Sequence, residues 1–116
     1  MSPDGSILYV SDTANNRVAK IDLNDCTADG CMVSTLATSQ QGDRPMQIAV
    51  TPDGSQIYVG FRSRGNELLQ YDATTGMQGS SFTGLSFPKG VCMRPDGAAL
   101  YVTDQDAKAI KQISIA

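Results

Sequence analysis

The sequence predicts an all-β fold built from repeated four-stranded antiparallel units, and three observations carry that prediction. Pro-Asp-Gly occurs three times, at Pro3-Asp4-Gly5, Pro52-Asp53-Gly54 and Pro95-Asp96-Gly97. Tyr-Val follows each at one fixed offset, as Tyr9-Val10, Tyr58-Val59 and Tyr101-Val102. The flanking runs are short and rich in Val, Ile and Tyr, residue types that pack well on a pleated surface.

The second unit shows every element. Pro-Asp-Gly is a turn signal, because Pro presets φ, Asp bonds its own backbone and Gly supplies a positive φ. The runs on either side, Ile48 to Val50 and Ile57 to Val59, read as the two strands of a hairpin. Leu68 to Asp72 reads as a third strand, Thr75-Gly76 as a further turn, and Ser80 to Thr83 as a fourth strand. The first unit repeats this order from its second strand onward, with Met1 aligned on Val50 and Met93, and with Met32 to Ala37 as its fourth strand. The third unit has an inner strand around Val91 and Met93, a second through Tyr101-Val102 and a third through Ile113 and Ile115. Its last segment, from Asp106, also fits an amphipathic helix with Ile110 and Ile113 three apart, and that alternative stays open. Units of about 43–49 residues with four short strands are expected to be β-propeller blades. The expected boundaries are 1–38, 45–84 and 88–116, about two and a half blades.

Composition excludes several classes. The chain has 116 residues, 41% of them hydrophobic and 18% charged, which fits neither a disordered chain nor a membrane-spanning one. Nine basic against 12 acidic residues give a net charge of −3, unlike the basic surface that grips nucleic acid. No His is present, which removes the commonest general base and metal ligand. The Gly-x-Ser-x-Gly, phosphate-loop and His-Glu-x-x-His patterns are all missing.

Among propeller repeats, WD-type blades need Trp-Asp and Gly-His pairs, and kelch blades need a double Gly and a Trp; this chain has no Trp. The segment from Pro3 to Asp22, repeated from Pro45 to Asp72 and from Pro88 to Ile115, resembles the YVTN and NHL repeat families. Lys108 and Ser114 depart from the pattern, standing where the other copies have Asn and Asp. That resemblance implies a non-enzymatic scaffold that binds a protein or other macromolecule, with no cofactor, no nucleic acid and no membrane. A second resemblance, to gluconolactonase-like propellers, implies a hydrolase whose divalent metal is held by carboxylate and Asn ligands from several blades.

Propeller ligands are expected at one end of the ring. The loops after the second strands (Asp12, Asn15, Asn16; Arg62, Arg64; Asp104, Asp106) share that end with the loops leading into the inner strands (Arg44; Lys89). These residues are the candidate binding face, of mixed charge. Calcium is a weak alternative there, because Asp104-Gln105-Asp106 and Asp12 with Asn15 and Asn16 lack the spacing of a calcium loop. Cys26 and Cys31 flank an Asp-Gly turn, where a disulfide and a pair of free thiols are both open; a disulfide implies a secreted or cell-surface protein. No signal-peptide pattern precedes the first unit. Cys92, beside Val91 and Met93, is expected to be buried as a small hydrophobe. The outer faces of a partial ring are expected to be apolar, to be closed by further blades in cis or by a homo-oligomer.

Overall fold

The computed structural model describes residues 1–62 and 66–115. Among the described residues, ten strands form three antiparallel sheets. The first sheet holds β1 (Ile7–Asp12), β2 (Arg17–Asp22) and β3 (Val33–Thr38). The second holds β4 (Pro45–Val50), β5 (Gln56–Phe61), β6 (Leu68–Asp72) and β7 (Gln78–Phe82) in sequence order. The third holds β8 (Pro88–Met93), β9 (Ala99–Asp104) and β10 (Ala109–Ser114). The segment open to a helical reading is therefore β10. Its Ile113 pairs with Leu100, and strand alternation turns Ile113 and Ile115 toward the second sheet, where both pack.

The second sheet is covered on both faces, which explains the run of buried residues along β5. Toward the first sheet, Ile57, Val59, Phe61, Leu69 and Tyr71 pack with Tyr9, Val18 and Ala37. Toward the third, Ala49, Tyr58 and Leu68 pack with Leu100 and Val102. The outer faces stay open. Val10 and Val33 are 37% and 50% exposed on the first sheet, and Ile110 is 74% exposed on the third. Cys92 is exposed rather than buried. It pairs with Tyr101 across β8 and β9, so alternation places it on the open face, while Val91 and Met93 pack inward.

The Pro-Asp-Gly turns interlock from sheet to sheet. A Cβ on Gly54 would stand 3.2 Å from Pro3 Cδ, and one on Gly97 3.1 Å from Pro52 Cδ. Glycine is needed at both positions twice over, for φ near +75° and for this close approach. Inside each turn the aspartate ties the backbone. Asp53 Oδ1 accepts the Ser55 N–H at 3.0 Å and the hydroxyls of Thr51 and Ser55. These bonds, with the Ser55 N–H first, hold the carboxyl near a pKa of about 2.

Candidate functional site

The end of the stack opposite these turns gathers the candidate loops. A short 3₁₀ turn, Thr13–Asn15, joins β1 to β2 and closes on Asn16 in the left-handed region. The Asn16 side-chain oxygen accepts the N–H groups of Gly42 at 3.1 Å and Arg44 at 3.4 Å. Asn16 thus fastens the loop leading into β4 to the loop after β1. Thr13 adds a hydroxyl bond to the Pro45 carbonyl at 2.8 Å. In turn, Arg62 N–H donates to the Arg44 carbonyl at 3.2 Å. The Arg62 guanidinium lies 5.1 Å from the centre of the Phe87 ring, a cation–π contact across neighbouring blades.

Two candidate carboxylates serve the scaffold. Asp12 accepts Asn15 Nδ2 and Arg17 Nε, both at 2.8 Å, and the Arg17 bond chiefly lowers its pKa. Asp104 is buried and accepts Phe87 N–H at 2.7 Å, Ser86 N–H at 2.9 Å and Lys111 Nζ at 2.8 Å. The Lys111 bond, followed by the Ser86 N–H, lowers its pKa to about 2. Sequence reasoning did not single out Lys111 or Phe87, whose roles come from contacts across the fold.

Arg44, Arg62 and Lys89 keep exposed side chains at this end. Asn15 and Asp106 are exposed as well, so the outward groups are mostly cationic while the neighbouring acids Asp12 and Asp104 are already paired. Arg64 lies outside the described residues. Beside Lys89 a cleft of about 370 Å³ is lined by Thr103, Gln105, Lys108 and Ile110. Among the described residues, no group of three or more His, Cys, Asp or Glu is placed to hold a metal ion. Cys26 and Cys31 form a disulfide with their Cα atoms 4.1 Å apart, on the outer hairpin between β2 and β3, away from this end.

The family model for lactonases of the seven-bladed β-propeller type matches residues 1–116. No curated protein matches the chain. Among solved structures, a candidate 6-phosphogluconolactonase from Bacteroides fragilis superposes with a TM-score of 0.79 at 20% identity, covering 100% of this chain and 33% of that one. A second candidate 6-phosphogluconolactonase, from Bacteroides uniformis, gives 0.77 at 18% identity, covering 100% and 35%. The hydrazine synthase of Kuenenia stuttgartiensis gives 0.72 at 18% identity, covering 99% and 44%. These likenesses concern the fold, and the chain spans less than half the length of each structure. The blade repeat, the stacked sheets and the match over the whole chain agree: this chain belongs to the seven-bladed β-propeller lactonase family.

Proposed function

We propose that the chain is one sector of a lactonase propeller, and that its basic loop end binds an anionic sugar lactone. The observation that carries this reading is the outward cationic set of Arg44, Arg62 and Lys89, at an end where Asp12 and Asp104 are neutralised by internal partners. An Arg-rich surface suits a phosphate or carboxylate group on the substrate. Two solved structures of this fold are candidate 6-phosphogluconolactonases, which supports the choice of a phosphorylated sugar lactone. In the reaction, water adds to the lactone carbonyl carbon and the ring C–O bond breaks, giving the open hydroxy acid. This sector supplies binding and orientation. The likeness to YVTN and NHL blades stays a reading of the Tyr-Val repeat, and the family match favours the hydrolase over a purely macromolecular scaffold.

A divalent metal of the gluconolactonase kind does not fit the residues here. Asp12 and Asp104 are spent on Arg17, Lys111 and backbone N–H groups.

The test is hydrolysis of 6-phosphogluconolactone and of glucono-δ-lactone by the polypeptide carrying this chain. Arg62→Ala is expected to raise KM for the phosphorylated lactone by about tenfold, with kcat little changed. It is expected to leave the unphosphorylated lactone nearly unaffected. Equal effects on both substrates, or no hydrolysis of either, would overturn the proposal.

A further inference from the structure

The opposite end of the stack, at the Pro-Asp-Gly turns, carries two clefts that repeat with the sequence. One, of about 300 Å³, lies between the Asp4 turn and the Asp53-Gly54 turn, with Tyr9 and Lys20 in its wall. The other, of about 360 Å³, lies between the Asp53 turn and the Asp96-Gly97 turn, with Tyr58 and Gln70 in its wall. Tyr9 pairs with Lys20, and Tyr58 with Gln70, at the same place in their sheets, so the clefts are equivalent positions of successive blades.

Part of their polar lining is without a partner, although Lys20 donates to the Ala73 carbonyl at 3.3 Å. Tyr9 and Tyr58 are only 8% and 4% exposed, and neither hydroxyl has a hydrogen-bond partner among the described residues. Among the described residues, the only sealed and unpartnered side-chain atom is Ser11 Oγ, so both tyrosine hydroxyls remain accessible. Asp4, Asp53 and Asp96 each spend Oδ1 on their own turn and leave Oδ2 without a partner. Close Pro–Gly approaches join the turns that rim both clefts.

We propose that these inter-blade clefts are a repeated binding site for a neutral saccharide, one pyranose to each cleft. The Tyr58 cleft has no Lys or Arg in its lining, its rim carries the Asp53 carboxylate, and Asp96 beside it is paired with Arg94 at 2.6 Å, so an anion meets no free cation there. A wholly apolar ligand would strand the tyrosine hydroxyl and Gln70 Nε2, the Oε1 of that amide already accepting the Ser80 N–H at 3.1 Å. A pyranose donates hydroxyls to the free Oδ2 atoms and accepts from the phenol, and its C–H face suits Pro52 and Ile115. The volumes reach the lower end of the range for small-molecule pockets, on the order of 300 Å³.

The experiment is amide chemical-shift mapping of the labelled full chain during separate titrations with glucose, galactose, mannose and calcium chloride. At least one of the three sugars is expected to shift Gly54, Ser55 and Gly97 saturably, with a dissociation constant of roughly millimolar size. Tyr58→Phe removes one unpartnered oxygen, so it is expected to leave the melting temperature unchanged and to weaken the second cleft about threefold to tenfold. Tyr9→Phe is expected to do the same to the first cleft only. No saturable response to any of the three sugars would overturn the proposal. So would a response that survives in the doubly substituted chain, or one at these amides given by calcium alone. Because these clefts lie away from the basic loops, the outcome is independent of lactone hydrolysis.

Discussion

Asp104 accepts the Phe87 N–H at 2.7 Å, so the end of β9 holds the loop that leads into its own blade's inner strand, β8. The same ring of Phe87 lies under the Arg62 guanidinium. One buried carboxylate therefore fixes both the blade and the placement of a proposed substrate-binding cation.

Asp104 sets a pH signature. Its carboxyl titrates near 2 in the folded chain, against 3.8 for the free group, chiefly because of Lys111. A folded-state pKa below the unfolded one contributes stability that is complete above about pH 4 and lost as pH falls through about 2. Asp104→Asn is expected to lower the melting temperature at pH 7 by about 5 °C, with the gap closing as pH approaches 2. Thermal melts across that range check this, and a gap constant with pH would contradict it.

Gly76 separates steric cost from backbone cost. It has φ +74°, and a Cβ there would overlap the Leu36 carbonyl oxygen of β3. Gly84 has φ +82° with nothing within 4 Å. Gly84→Ala is expected to cost about 1 kcal/mol, and Gly76→Ala at least about twice that, by denaturant unfolding. Equal costs would mean that the first and second sheets do not meet at this turn.

Lys108 is a local misfit. Asn16 and Asn66 occupy the same repeat position at φ 54° and 51°, and Lys108 adopts φ 51° there. Asn tolerates the left-handed region better than Lys. Lys108→Asn is expected to stabilise the chain by about 0.5 kcal/mol in denaturant titrations, whereas a loss would show that the lysine ammonium has a structural role.

The disulfide closes a short loop. Reducing Cys26–Cys31 is expected to cost up to about 2 kcal/mol, since the loop-entropy gain is small for so few residues. Alkylation before and after reductant, followed by melts, checks both the bond and its contribution.

Much of the fold was legible because its signals are local. Pro-Asp-Gly fixes a turn without help from the rest of the chain, and Leu68–Asp72 is the third strand that its residues predict. The choice of strand over helix at β10 depended on Ile113 and Ile115 alternating toward Leu100, visible once the repeats are aligned. The facing of Cys92 was not legible, because alternation says that two faces exist but not which is covered. Nor were the separate fates of Asp12 and Asp104 at one repeat position. Arg17 takes the first, while Lys111 and the backbone of Ser86 and Phe87 take the second, and those partners meet only in the fold. The unpartnered hydroxyls of Tyr9 and Tyr58 are likewise a property of packing between blades.

The basic loop end, and not the turn end, is the proposed receiver of the anionic sugar. Amide chemical-shift mapping of the chain with 6-phosphogluconate and, separately, gluconate tests it most directly. 6-Phosphogluconate is expected to shift Arg44, Arg62, Phe87 and Lys89 more strongly than gluconate does, to leave Gly54 and Gly97 in place, and to lose most of its effect with Arg62→Ala. Shifts confined to the Pro-Asp-Gly turns, or none at Arg44 and Arg62, would contradict it.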